Sequence, residues 1–298
     1  MWPTKRIATV IVLLSLMLMA AIFLARHLAT GPELNAVRTW GYQLQNVDMA
    51  ELAGLDIDLL VIDHADSSGR PLPSSSVADL KRKSDGGRRI VLSYLSIGEA
   101  ERYRSYWEES WDRIAPDWLG DENPDWPGNY AVDFADPDWQ RLIYGNAGAL
   151  LDTIIDQGFD GAYLDRVDAY CGQGQQARLE MKAFVAALKT YAENRRPGFL
   201  IFQQNAEELL SDPDHRAKID GLAKEDLLFN VRGPGLANPS SMVQESQRLI
   251  ALLAEEGKPV LVVEYDLSAD QAAAATSTLK KQGYVPTMAS RDLSQLPR

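Results

Sequence analysis

Short apolar runs alternate with amphipathic stretches along most of this chain. The runs are rich in Val, Ile, Leu, Tyr and Phe, as is typical of strands buried on both faces. They occupy residues 39–45, 59–63, 90–96, 130–134, 162–165, 200–204, 221–225, 260–265 and 284–288. Alternation of strands with helices predicts a parallel sheet. We therefore predict an α/β fold, a (β/α)8 TIM barrel, in which one of the nine runs is an extra strand or a loop. Residues 130–134 are the first candidate for this extra strand or loop.

Helix signals fall between these runs. Asp136 followed by Pro137 is a helix start, and the helix is predicted to continue to about Gln157, before Gly158. A second helix is predicted over 175–193. Ser241 and Ser268 each precede a glutamine by three residues, which predicts a capping box at the start of two further helices.

An apolar run, 7–25, stands near the start of the chain. It follows Lys5 and Arg6 and is long enough to cross a bilayer. The basic residues favour keeping the N-terminus in the cytoplasm. We predict a signal anchor over residues 1–26, a linker over 27–35 and an extracytoplasmic barrel over 36–298. A cleaved signal peptide, with the protein secreted, is the alternative, because small residues such as Ala25 lie near the end of the run.

Charge and composition narrow the possible partners. The 298 residues carry a net charge of −12, which argues against a nucleic acid and suits a cationic partner. Cys171 is the single cysteine, so an internal disulfide is impossible. The three histidines show no H-x-x-H spacing, so neither a metal nor another cofactor is predicted.

The predicted strands end in polar side chains. In a closed parallel barrel these ends converge on one face, where catalytic residues are found. Glutamate and glutamine are poor helix caps, so capping does not explain the whole set. We therefore predict an acidic, ligand-binding mouth. Its candidate residues include Gln43, Asp63, Tyr94, Glu99, Asp165, Asp168, Gln204, Asn205, Glu225, Glu264 and Tyr265.

The residue types in this mouth point to glycoside hydrolysis, in which one carboxyl group protonates the leaving oxygen and a second acts as nucleophile or activates water. A phosphate-binding glycine loop and a G-x-S-x-G elbow are both absent from the sequence. Trp118 and Trp126, in the irregular stretch 115–129, are candidate surfaces for sugar rings. Trp107 and Trp111 are predicted to form a packing pair.

Four stretches together resemble glycoside hydrolase family 114, a TIM-barrel group that includes endo-α-1,4-polygalactosaminidases. They are WGYQLQ at 40–45, LSYLSIGE at 92–99, FDGAYLDRVD at 159–168 and GYVPTMASRDL at 283–293. The resemblance covers the chain from about residue 36 onward. It implies that the aspartate of the D-G-x-x-x-D strand, Asp165, and a glutamate on a later strand, Glu225, are catalytic. Arg166, where many members have asparagine, and the residues around Glu225 depart from the family pattern.

We predict that Asp165 is the nucleophile or base, because an adjacent arginine lowers the pKa of a carboxyl group. Glu225 is then the general acid, with Glu264 as the substitute carboxylate. The predicted sugar-binding residues are Tyr42, Asp63, Tyr94, Glu99, Asp168, Gln204, Asn205 and Glu264. An amino-sugar polymer with free amines is the substrate that the resemblance implies. A barrel that binds carbohydrate without turnover, as a scaffold in polysaccharide export or modification, is the alternative.

Overall fold

An eight-stranded parallel sheet forms the centre of the molecule. This computed structural model describes residues 33–296. The strands of the sheet, in the order in which they are hydrogen-bonded, are β1 (Trp40–Tyr42), β2 (Leu59–Ile62), β3 (Ile90–Ser96), β7 (Gly161–Asp165), β8 (Leu200–Gln204), β9 (Gly221–Glu225), β12 (Val260–Tyr265) and β13 (Val285–Ala289). Trp40 in the first strand donates its indole N–H to the carbonyl of Val285 in the last, at 2.8 Å, which ties the two edges of the sheet together. The arrangement is that of a (β/α)8 TIM barrel. The other strands of the described residues lie outside this sheet and are β4 (Glu99–Glu101), β5 (Leu119–Glu122), β6 (Asn129–Val132), β10 (Phe229–Asn230) and β11 (Gly233–Ala237).

Helices follow the barrel strands and cover the outside of the sheet. Short 3₁₀ helices occupy Leu34–Ala36, Glu109–Asp112, Val167–Tyr170 and Glu207–Ser211. The α-helices in the described part of the chain are α1 (Met49–Ala53), α2 (Ser74–Leu80), α3 (Pro137–Ile143), α4 (Leu150–Asp156), α5 (Gly174–Arg195), α6 (Pro213–Arg216), α7 (Ser240–Ala254) and α8 (Ala269–Lys281).

Each of the nine predicted strands coincides with an observed strand, and the suspected extra strand is confirmed. Residues 130–134 overlap β6, which lies outside the barrel and pairs antiparallel with β4 and β5. This small sheet belongs to the long connection between β3 and β7. The stretch 115–129, which was predicted to be irregular, contributes β5 and the first residue of β6 to this sheet.

The barrel strands are buried on both faces, and their residues alternate between two cores. Inward residues such as Leu59, Val61 and Leu92 pack with one another inside the barrel. Their neighbours Leu60, Ile62 and Val91 pack outward against the helices. A period of two is the property of extended backbone that produces this division. It also decides which residues at the strand ends point into the mouth.

Two helix predictions are wrong in detail. The helix expected over 137–157 is broken between α3 and α4, where Gly145 and Gly148 have φ of 95° and 94° and leave the helical region. The capping box at Ser241 does not form, because α7 begins at Ser240 with Pro239 as its N-cap, and Ser241 therefore lies inside the first turn of the helix. The capping box at Ser268 is present, as predicted.

The predicted anchor, residues 1–26, lies outside the described residues. Between residues 33 and 296, no helix combines the length and the apolar character needed to cross a bilayer.

Candidate active site

Asp165 and Glu225 occupy the C-terminal ends of two barrel strands with one strand between them. Asp165 closes β7 and Glu225 closes β9, with β8 hydrogen-bonded to both. Tyr163 and Ala223, each two residues earlier, lie in the inner core. The period of two therefore turns both carboxylates toward the interior of the mouth. The two predicted catalytic residues lie in one cavity.

Asp165 is held by two donors. The Tyr94 hydroxyl on β3 donates to Oδ2 at 2.8 Å, and the backbone N–H of Arg166 donates to Oδ1 at 2.7 Å. Burial, followed by the negative charge of Glu225, raises the pKa of Asp165 to about 7 in spite of these hydrogen bonds. Burial also raises the pKa of Tyr94 well above its ordinary value, so its hydroxyl remains a donor.

Arg166 lowers the pKa of Asp165, as predicted, but it does not determine the net shift. Arg166 has a left-handed backbone, with φ of 59°, and extension ends at this residue. Its guanidinium group pairs with Glu99 at 3.1 Å and with Asp168 at 3.6 Å. Its charge does lower the pKa of Asp165, but burial and Glu225 outweigh it.

Glu225 is held by a matching pair of donors. The Tyr265 hydroxyl on β12 donates to Oε1 at 2.5 Å, and Asn205 Nδ2 donates to Oε2 at 2.9 Å. Asn205 is itself oriented, because its Oδ1 accepts from the backbone N–H of Glu225 at 3.1 Å and from Lys224 at 3.3 Å. Each carboxylate therefore has a tyrosine donor from a neighbouring strand.

Six of the eight predicted sugar-binding residues line this cavity, which encloses about 420 Å³. Among them, Gln204 is 3% exposed, and its Oε1 has no hydrogen-bond partner in the described part of the protein. A buried amide oxygen without a partner is costly unless a ligand supplies the donor. The six residues are Tyr42, Tyr94, Glu99, Asp168, Gln204 and Asn205.

Asp63 lies in a neighbouring cavity. Its Oδ1 accepts from Arg104 at 2.8 Å and lies 3.2 Å from His64 Nδ1. Burial raises the pKa of Asp63, but Arg104 and His64 together hold it well below its usual range.

Glu264 lies away from the cavity as a fully buried side chain. Its carboxylate accepts from the backbone N–H groups of Leu228 and Phe229, at 2.7 and 3.2 Å, and so fixes the chain after β9. Burial raises its pKa to about 7, and the two hydrogen bonds offset part of that effect. The prediction had the wrong face of β12, since Tyr265 rather than Glu264 points into the mouth.

The tryptophans divide into core and surface. Trp118 is 5% exposed and packs against Trp111 and Trp139, with ring centroids 5.1 and 5.2 Å away, so it is a core residue rather than a ligand surface. Trp126 is 50% exposed and lines the cavity. The predicted pair of Trp107 and Trp111 is confirmed, at 5.3 Å.

Several cavity residues were missed by the sequence predictions. Asn123 donates to Glu99 at 2.9 Å from the turn between β5 and β6, and Arg291 packs over the Tyr265 ring at 4.5 Å. Both are brought to the mouth by loops, for which the sequence gives no signal. Tyr265 was predicted to belong to the mouth but not to the sugar-binding set, although it has the same parity as the inward residues Leu261 and Val263.

Charge in the cavity is predominantly negative. The side chains that line it include the carboxylates of Glu99, Glu101, Asp165, Asp168, Glu225 and Asp292 and only two cations, Arg166 and Arg291. Both arginines are paired, Arg166 as described and Arg291 with Asp226 at 2.7 Å. Within residues 33–296, no three His, Cys, Asp or Glu side chains are grouped so as to hold a metal ion.

A TIM barrel with two inward carboxylates at the C-terminal ends of its strands has the architecture of a glycosidase. Comparison with known proteins identifies the family of glycosidases. The model of glycoside-hydrolase family GH114 matches residues 25–297, and the chain belongs to this family. It is a glycosidase, and the alternative of a barrel without turnover is set aside.

The chain is also similar to other proteins in sequence and in fold. An uncharacterised protein from Deinococcus radiodurans is 37% identical over 273 residues, which cover 89% of this chain and 84% of that one. The glycoside hydrolase domain of PelA from Pseudomonas aeruginosa has the same fold, with a TM-score of 0.67, 21% identity and coverage of 88% of this chain and 98% of that one. Aspergillus fumigatus Ega3, solved in complex with galactosamine, gives a TM-score of 0.66, 20% identity and coverage of 90% and 96%.

Proposed function

We propose that this protein hydrolyses an amino-sugar polysaccharide on the extracytoplasmic side of the membrane. Asp165 acts as nucleophile or base and Glu225 as general acid. The observation that carries the proposal is the pair itself: two inward carboxylates in one cavity, each held by a tyrosine hydroxyl.

The hydrogen bonds at Asp165 suit the role of nucleophile or base. The Tyr94 hydroxyl and the Arg166 N–H both lower the pKa of Asp165 and favour its ionised form. Burial and the charge of Glu225 act in the opposite direction and raise the pKa of Asp165 to about 7, so the ionised fraction of Asp165 grows as the pH rises toward and above neutrality. With Asp165 in that role, Glu225 is the carboxyl group left to act as the general acid.

The reaction follows from the roles proposed for the two carboxyl groups. Glu225 donates its proton to the glycosidic oxygen as the bond from that oxygen to the anomeric carbon breaks. Asp165 either attacks the anomeric carbon, forming an ester that water later hydrolyses, or removes a proton from a water that attacks directly. Both routes consume one water and restore the original protonation states.

The negative cavity favours a sugar with a free amine. Asp168 is available to an ammonium group, since it is about one-third exposed and its contact with Arg166 is as long as 3.6 Å. The unpartnered Gln204 Oε1 supplies a further acceptor. Trp126 offers an exposed ring face for a sugar. The similarity of the fold to Ega3, which was solved with galactosamine, supports the same choice.

The extracytoplasmic location rests on the apolar run 7–25 and the basic residues before it. A polysaccharide substrate outside the cell fits that orientation. Protease treatment of intact and permeabilised spheroplasts tests it. A chain digested only after permeabilisation contradicts the proposed side of the membrane.

The activity is tested with full-length protein in detergent and a partly deacetylated galactosamine polymer. We expect new reducing ends from the wild type and a loss of about 1,000-fold in Asp165→Asn and Glu225→Gln. Asp138→Asn is the matched control, because Asp138 is exposed on α3. A folded wild type that releases no reducing ends refutes the proposal.

The two roles are separated with aryl glycosides. An aryl leaving group needs little protonation, so Glu225→Ala is expected to retain activity on an activated aryl substrate, whereas Asp165→Ala is not. If Asp165 is the nucleophile, azide restores turnover in Asp165→Ala and gives a glycosyl azide. The reverse pattern assigns the acid role to Asp165.

A further inference from the structure

A second cavity adjoins the catalytic one. It encloses about 630 Å³ and is lined by the segments that follow β1 and β2. Leu44, Gln45 and Tyr103 line both cavities. The two therefore form one cleft, with Tyr103 at the junction.

Tyr103 is 59% exposed, which is unusual for so large an aromatic side chain, and yet it is held in place. Its hydroxyl donates to Glu101 Oε1, and the guanidinium group of Arg104 lies 4.9 Å from its ring centroid. A fixed aromatic ring loses little conformational entropy when a ligand stacks on it. Tyr103 thus has the properties of a preformed stacking surface.

A buried charge network lies beneath the ring. Arg104 is 6% exposed and pairs with Glu101 at 2.6 Å and with Asp63 at 2.8 Å. Burying three charges is expensive, and hydrophobic residues often fill such a volume at less cost. Here the network fixes the position of Tyr103, because Glu101 bonds to both Arg104 and the tyrosine hydroxyl.

Polar side chains contribute to the lining of the second cavity, together with apolar ones such as Val47 and Leu72. The polar side chains include Asn46, Asp66, Ser67 and Ser68. Amides, hydroxyls and a carboxylate are the groups that hydrogen-bond sugar hydroxyls and amines, while the apolar side chains and the ring of Tyr103 complement the apolar face of a sugar.

We infer that the second cavity binds further sugar units of the same polymer, with Tyr103 as the stacking platform between the catalytic pair and those units. The inference rests on the proposed function and adds to it. A chain that spans both cavities is longer than the catalytic cavity alone can hold, so the enzyme is expected to favour long oligomers. Glu101 and Arg104 act as positioning residues for Tyr103.

The test uses a ladder of galactosamine oligomers of defined length with full-length wild type, Tyr103→Ala and Tyr103→Phe. KM is measured for each oligomer. In the wild type we expect KM to fall as the oligomer lengthens. In Tyr103→Ala the advantage of long over short oligomers should shrink about tenfold, as the loss of one stacking contact predicts. Tyr103→Phe keeps the ring and should keep most of that advantage. Ile114→Ala, which removes an 80% exposed side chain outside both cavities, is the control.

Failure of the inference and failure of the proposed function give different results. If the wild type cleaves the ladder and Tyr103→Ala shows the same dependence on length, the second subsite is refuted and the proposed function stands. If the folded wild type cleaves no galactosamine oligomer, both are refuted. A rise in KM of equal size for all lengths also contradicts the inference, because it places Tyr103 in the catalytic cavity alone.

Discussion

Tyr94 donates its phenolic hydrogen to Asp165 from the neighbouring strand, at 2.8 Å. The parallel register pairs Tyr94 with Tyr163, so Asp165 lies two residues beyond its donor along β7. Both residues point inward, and the hydroxyl reaches the carboxylate at the end of the adjacent strand. The register of the barrel therefore places the side-chain donor that favours the ionised form of Asp165.

Removal of this hydrogen bond is predicted to change the pH dependence of the enzyme. The Tyr94 hydroxyl favours the ionised form of Asp165, so Tyr94→Phe raises the pKa of Asp165 further. Because Asp165 must be ionised to act as nucleophile or base, the acidic limb of the kcat/KM profile should move to higher pH. We expect a loss of about tenfold below neutral pH and a smaller loss above it. An acidic limb that stays in place would exclude Tyr94 from this role.

Stability should also depend on Asp165. Its pKa is about 7 in the folded protein and near 3.8 in the unfolded chain, so between these values the folded state binds more protons. Stability therefore falls as pH rises from about 4 to about 7, by an amount on the order of 2–4 kcal/mol. Asp165→Asn removes this titration. Urea unfolding of the variant and the wild type should show a difference in stability that grows over that range in favour of the variant. A difference independent of pH contradicts the prediction.

Glu264 gives a matched comparison between a structural and a catalytic carboxylate. Glu264→Ala leaves the N–H groups of Leu228 and Phe229 without their acceptor and should cost about 2–4 kcal/mol in the free energy of unfolding. Glu264→Gln keeps one acceptor oxygen and should cost less. Turnover by folded Glu264→Gln is expected within a few fold of wild type. A loss comparable with that of Glu225→Gln would instead make Glu264 catalytic.

Salt should weaken binding of a cationic polymer. The carboxylates in the cavity outnumber its arginines, and the attraction of exposed charges is screened over about 10 Å at 0.1 M salt. Raising the ionic strength from about 0.05 to about 0.5 M is expected to increase KM several-fold for the free-amine polymer. The fully N-acetylated polymer, which carries no amine charge, is the control. If KM depends equally on salt for both polymers, the charge of the amines does not contribute to the choice of substrate.

Local sequence patterns were sufficient for most of the barrel. Apolar runs mark strands because a strand covered on both faces must be apolar throughout, and all nine marked runs form strands. The helix over 137–157 was predicted as one piece because the sequence marks a start at Asp136 and Pro137 and a stop at Gly158. Their positive φ, which breaks the helix, depends on how the chain packs there.

The proposed catalytic pair came from the sequence through the resemblance to a family, and in the structure both members line one cavity. The pKa of Asp165 did not follow. Arg166 is adjacent in sequence, yet its guanidinium group pairs with Glu99, while Glu225 lies on another strand and acts on Asp165 across the mouth. The choice between Glu264 and Tyr265 needed the parity of β12, which the sequence offered through Leu261 and Val263.

By itself the sequence determined the strands, the family and the strand ends at which polar groups gather, because these depend on local composition and on motifs. Tertiary structure alone decided that Asn123 and Trp126 reach the mouth from the small sheet and that Tyr103 stands between two cavities. Loops that are distant in sequence meet through the closure of the barrel and the packing of the chain between β3 and β7. The pKa values in the site depend on those contacts between distant segments, since burial and the distances between charges are properties of the folded molecule.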